Sequence, residues 1–316
     1  MELLGTPVWA WGAFFSIVAA LLAFDLGILH KRDREIGVRE SLWLSAGYIA
    51  VACTFGLGIG QTLGHEQSLE FFTGYFIEKS LSLDNVFVIS LIFTAFSIPR
   101  LYQHRVLFWG IMGVIVLRGL MIGIGAALIA EFHWILYVFG GFLVITGIRM
   151  LCEKEHDKTL ESHPFVKFLQ RHVRVTENLH GHDFAVRLAD TKTGRVVWHA
   201  TPLLLALVLV ECADVMFAVD SVPAVFAITQ DPFIVYTSNI FAILGLRALY
   251  FALAAVIHRF AYLKYALAAV LIFIGGKIFY AELVEKVPAL LSLGVTFGLL
   301  AAGVLVSMLK TRTRPV

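Results

Sequence analysis

Charge is what this 316-residue chain has least of: Asp, Glu, Lys and Arg make up 15% of it, against 59% hydrophobic residues. Together with a mean hydropathy of +0.82, that scarcity excludes an ordinary water-soluble domain, because too little polar surface is left to cover a core. The net charge of +2 gives no sign of nucleic-acid binding. Cysteine is nearly absent as well. Cys53, Cys152 and Cys212 stand apart, with no CxxC or Cys/His spacing, which excludes a disulfide framework or structural zinc site and leaves them as small apolar filler. No GxxxxGK[ST], HExxH or GxSxG occurs, so neither a nucleotide-driven pump nor a zincin or hydrolase is expected, and no prosthetic group.

What the chain does have is long apolar runs. A spanning helix needs about 20 mostly apolar residues, and nine segments qualify: 7–29, 41–63, 70–97, 104–131, 133–151, 200–229, 232–257, 262–281 and 287–309. The first lacks a basic leading region and is too long for a cleaved signal core, so it reads as a span. The expected fold is an all-α polytopic transmembrane bundle in the lipid bilayer. Twenty of the 25 Lys and Arg fall in the loops after odd-numbered spans or after the last span, and only Lys286 follows an even-numbered one. That asymmetry places the C-terminus in the cytoplasm and the N-terminus outside.

The polar stretch 152–199 divides a membrane half at 1–151 from another at 200–316. It reads as a solvated, partly helical cytoplasmic linker. Its His163, His172, His180 and His182 lack the rigid spacing of a metal site. PFVKFLQRHVRV, at 164–175, has the pattern of a basic amphipathic helix, either on the inner leaflet or packed on the spans.

The halves repeat one another. EKSLSLDNVFV from Glu78 matches DVMFAVDSVPA from Asp214: an acid, five residues, then Asp and a small polar residue, at an offset of 136. VLRGL around Arg118 matches GLRAL around Arg247, and TGIR at 146–149 resembles IGGK at 274–277, at offsets of 129 and 128. Spans 3–5 thus pair with spans 6–8, three spans apart and so of opposite sense. Such an inverted repeat places a site near the bilayer midplane, often on interrupted helices, and Pro223 offers an interruption in span 6.

Five acids lie in spans 3 and 6: Glu78, Asp84, Glu211, Asp214 and Asp220. Burying them costs about 12–18 kcal/mol together on insertion scales. Arg118 and Arg247 can offset two of them, and Lys79 and Lys277 sit near enough to span ends to snorkel. The surplus requires protons or a bound cation. At about 100° per residue, Glu78, Ser82 and Asn85 share a face of span 3, as Glu211, Asp214 and Ser221 do on span 6. Asp84 and Asp220 lie about 120° off those faces, so either the helices unwind or these two serve differently, for example as gates paired with Arg118 and Arg247. Asp25 in span 1 is a further pathway residue or an interfacial partner of Lys31 or Arg32. Carboxylates with the Asn85 carbonyl and Ser221 hydroxyl make an all-oxygen set suited to Mg²⁺, Ca²⁺ or Mn²⁺.

At EKSLSLDNVFV, ECADVMFAVDSVPA and DPFIVYTSNIFAILGLRALYF the sequence resembles the TerC family of integral membrane proteins, and within it the Alx-type branch of manganese exporters, over nearly the whole chain. The resemblance implies nine spans, a place in the LysE-like transporter superfamily, and a bacterial inner-membrane location. It also implies Mn²⁺ efflux through acids that correspond to Glu78, Asp84, Glu211, Asp214 and Asp220, with Asn85 and Ser221 as the small polar positions. The expected activity is gradient-driven export of a divalent cation, with protons as coupling ion. Export of Ca²⁺ and a scaffold, insertion or stress-response role acting through the 152–199 loop are the alternatives.

Overall fold

The computed structural model describes residues 2–3, 5–29, 37–132, 134–152, 175–176, 179–189, 196–253, 263–283 and 287–311. It is a bundle of ten described helices: α1 Val8–Leu29, α2 Val38–Thr62, α3 His65–Ala95, α4 Arg100–Glu131, α5 Ile135–Cys152, α6 Pro202–Phe226, α7 Pro232–Leu244, α8 Leu246–Leu253, α9 Leu263–Leu283 and α10 Ala289–Thr311. These agree with the expected spans to within a few residues, because uninterrupted apolar runs leave the backbone no hydrogen-bond partner in lipid except its own next turn. Eight segments among the described residues are long and apolar enough to cross a membrane, α7 and α8 together forming one of them. α3, with 31 residues, has the length but not the hydropathy, because it carries His65, Glu66, Glu70, Glu78, Lys79 and Asp84.

One expectation is corrected. Pro223 does not interrupt span 6: α6 runs through it and ends at Phe226, with the Ala227 N–H bonded to the Pro223 carbonyl at 3.0 Å. Pro223 costs α6 one hydrogen bond, to the Val219 carbonyl, without ending the helix. The interruption falls in span 7 instead, where α7 ends at Leu244 and α8 begins at Leu246. Most of the polar stretch, expected to be a partly helical linker, lies outside the described residues, and the part that is described is extended. It holds an antiparallel hairpin, β3 Ala185–Ala189 paired with β4 Val196–Ala200, following a small pair β1 Glu2–Leu3 and β2 Thr6–Pro7 at the N-terminus. AVRLA and VVWHA carry the β-branched, alternating pattern of strands, which a reading for polarity passes over. The segment 164–174 lies outside the described residues. His182 packs edge-on against Tyr102, with ring centroids 4.9 Å apart.

The centre of the bundle is α7, whose residues from Phe233 to Leu244 are all buried. It packs against α3 and α4, and those two helices also pack against α6. Outer helices keep apolar side chains exposed, as a lipid-facing surface requires: Trp43 and Val116 are about 70% accessible (72% and 69%). α5 and α9 are closely packed through small residues. A Cβ on Gly147 would stand 2.7 Å from the Ala268 carbonyl oxygen, and one on Gly275 would stand 2.6 Å from the Gly140 carbonyl oxygen.

α7 begins with a cap. The Asp231 carboxylate accepts from the Phe233 N–H at 2.9 Å, ahead of Pro232 in the first turn. Burial pushes this carboxyl up from its ordinary range, against the opposing N–H groups of Phe233 and Ile234 and the Thr6 hydroxyl. A folded pKa above the unfolded one means that ionised Asp231 costs stability, and that the cost disappears as pH falls below the unfolded pKa. Asp231→Asn, which keeps the capping oxygen, is therefore expected to melt above the wild type at about pH 7 and to match it below about pH 3. A difference in Tm that does not change with pH would contradict this.

Candidate functional site

Four helices bring one cation and several acids together in the middle of the bundle. α3 is continuous through Glu78, Ser82 and Asn85, and all three are buried, as one helical face turned inward requires. α6 is continuous through Glu211, Asp214 and Ser221, with Asp214 and Ser221 buried and Glu211 half-buried. Neither helix unwinds. α4 contributes Arg118, the largest fully buried side chain, and α7 contributes Asn239.

Arg118 organises the cluster. Its Nε and Nη2 donate to the two oxygens of Asp214, at 3.2 and 3.0 Å, in the fork geometry that suits a carboxylate. Its Nη1 donates towards Glu78 Oε1 at 2.5 Å, Asn239 Oδ1 at 2.6 Å and Ser221 Oγ at 3.0 Å. Asn239 is itself held by its amide N–H on the Val235 carbonyl, at 3.1 Å. Glu78 and Asp214 are the acids that occupy matching positions in the two repeated motifs, so a single guanidinium bridges both halves of the chain. The sequence set these two acids aside for an ion and offered Arg118 to Asp84. In the structure Arg118 takes Glu78 and Asp214, because α3 and α6 turn those faces to α4. The side chains of Asp84, Asp220 and Arg247 lie outside the described residues. Asp25 is buried near the end of α1 and is not among the partners of Arg118.

The remaining groups carry unused acceptor capacity. Glu211 pairs with no basic group among the described residues, and its Oε2 is buried without a hydrogen bond. Gly113 of α4 makes room for it: a Cβ there would fall on the Glu211 carboxylate. Glu78 Oε2 and Asn85 Oδ1 are also buried without a partner, while the Asn85 amide lies 3.4 Å from Asp214 Oδ1. Asn85 and Asp214 line a cavity of about 30 Å³, together with Gly110, Val114, Ala213 and Ile243 among others, which is room for a water or a small ion. No three His, Cys, Asp or Glu side chains among the described residues stand close enough to form a metal cluster by themselves.

Two lysines of the spans have polar neighbours within the bundle. Lys79 Nζ donates inward to the Ala242 carbonyl of α7 at 3.0 Å, and Lys277 Nζ lies 3.4 Å from Ser292 Oγ of α10. Asn239 was missed by the sequence reading. Its signal is TSN at 237–239, three consecutive polar residues inside an apolar span.

The sequence profile described as "Integral membrane protein TerC family" matches residues 63–315. An uncharacterised membrane protein of Myxococcus xanthus is 47% identical over 96% of this chain and 93% of its own. One from Rickettsia felis is 45% identical over 95% and 98%. A protein of Escherichia coli strain K12, "Putative membrane-bound redox modulator Alx", is 45% identical over 95% and 94%. No solved structure matches.

Proposed function

The chain belongs to the TerC family of integral membrane proteins, and on that premise we propose that it exports a divalent cation, Mn²⁺ first among them, from the cytoplasm in exchange for protons. The observation that carries this reading is a charge imbalance. Glu78, Asp214 and Glu211 converge on a region where the described side chains supply one guanidinium to the acids, and three buried oxygens of Glu78, Asn85 and Glu211 have no donor. Surplus negative charge in hydrocarbon is stable only with a proton or a cation beside it, and an all-oxygen donor set suits Mn²⁺, Mg²⁺ or Ca²⁺.

In this reading Arg118 is the resident counter-cation. An arriving ion competes with the guanidinium for Glu78 and Asp214, and protons take its place when the ion leaves. The same reading holds that spans 3–5 and 6–8 form an inverted repeat with the site at their interface. Its support is reciprocal packing: α3 on α7 corresponds to α6 on α4, and Gly147 over Ala268 corresponds to Gly275 over Gly140. With the charge bias of the loops, it places the chain in a bacterial cytoplasmic membrane with the N-terminus outside.

The test is flux in proteoliposomes. Mn²⁺ movement should exceed that of protein-free vesicles, run faster down an opposing pH gradient, and be accompanied by counter-movement of protons. Competition by Ca²⁺ or Mg²⁺ ranks the substrates, and absence of flux for all three ions refutes the reading.

A further inference from the structure

The turn of α3 that presents Glu78 to Arg118 presents Lys79 about 100° further round, to the joint between α7 and α8. There Lys79 Nζ donates to the Ala242 carbonyl at 3.0 Å, its only polar partner among the described residues. That carbonyl belongs to the last turn of α7, whose final four C=O groups have no intrahelical donor. The end of a helix also carries partial negative charge, and hydrocarbon supplies no water to offset it. Gly245, between the two helices, leaves the space that the ammonium occupies: a Cβ there would stand 2.7 Å from Lys79 Nζ and 3.3 Å from the Tyr48 Cβ of α2. The joint thus has a helix-end carbonyl turned to the ammonium, a gap without a side chain, and a cation seated in it.

We propose that the α7–α8 joint is a monovalent-cation site which the chain fills with its own Lys79 ammonium. The ligand in view is a neutral carbonyl, that of Ala242, with no carboxylate among the described residues, so a single positive charge matches it. A divalent ion, which needs anionic ligands to offset its dehydration, belongs with the acids around Arg118. The site is separate from that cluster and does not rest on the transport reading. Once Lys79 is shortened, the vacated space takes Na⁺, K⁺ or ammonium from solution.

The experiment is thermal unfolding of the purified full-length protein in chloride salts of sodium, potassium, ammonium and N-methylglucamine at equal ionic strength. Lys79→Ala is expected to melt several degrees below the wild type in N-methylglucamine and to regain most of that loss, saturably, in at least one small cation. Lys79→Met fills the same space without charge, so it should melt low in every salt, while the wild type should not respond to the choice of cation. Equal melting of Lys79→Ala in all four salts overturns the proposal, as does an equal gain in wild type or Lys79→Met. Gly245→Ala supplies an arm that does not depend on recovering folded Lys79→Ala. By crowding the ammonium it should lower Tm while Lys79 is present, and a Tm equal to that of wild type overturns the assignment.

Discussion

Arg118→Met is expected to cost about 3–5 kcal/mol of stability, the range seen when one partner of a buried ion pair is removed. Arg118 is fully buried, with Glu78 and Asp214 on either side of it. Methionine matches much of its volume, so the loss is electrostatic: two carboxylates remain in hydrocarbon with no cation, and Ser221 and Asn239 lose their donor. The loss should be read as a fall in Tm in detergent or nanodiscs and as a lower yield of membrane-inserted protein. The size of the effect belongs to stranded charge and not to the attraction itself, because removing all the charges of a buried network is often neutral or stabilising. Adding Glu78→Gln and Asp214→Asn to Arg118→Met should therefore recover most of the Tm. If the triple variant is less stable than the single one, the cluster is held by something other than charge pairing.

Glu211→Gln is expected to lower Mn²⁺ flux by about 100-fold or more, since even groups one shell beyond a metal are worth 10–100-fold in affinity. It should do so without a loss of stability. Glu211 has no basic partner among the described residues, and one of its oxygens is buried without a donor. A neutral isostere therefore removes no ion pair and relieves the desolvation of a charge. This separates the role of Glu211 from that of Glu78 and Asp214, whose replacement disturbs Arg118 as well as any bound ion. Gly113→Val, which crowds the Glu211 carboxylate from α4, should reproduce the flux defect through position alone. Flux unchanged by Glu211→Gln removes Glu211 from the pathway.

How much of this site was legible from the sequence can be seen residue by residue. Glu78, Ser82 and Asn85 recur at helical spacing and are buried together. Asp214 and Ser221 were legible in the same way, because a side chain's place on a helix depends only on its number within that helix. The partner of Arg118 was not legible. Glu78 and Asp214 reach Arg118 because of how far α3 and α6 rotate about their axes when packed against α4, and spacing within one helix does not fix that rotation. Asn239 joined the site for a similar reason. It lies in the central helix, α7, and sequence spacing says nothing about which helix becomes central.

The interruption expected at Pro223 and the one found at Gly245 show the same division. Proline is a strong local signal, yet Pro223 falls where α6 is ending. Gly245 is a weak one, yet α7 and α8 part there, where the Lys79 ammonium takes up a freed carbonyl. By itself the sequence determined that this chain is a helical membrane protein, where its spans run, and which acids lie within them, because the hydrophobic effect and backbone satisfaction act over one helix at a time. Only the tertiary structure decided which charges meet, where the central helix breaks, and which oxygens are left without donors. Those outcomes depend on the rotation and approach of helices distant in the chain, which no local pattern encodes.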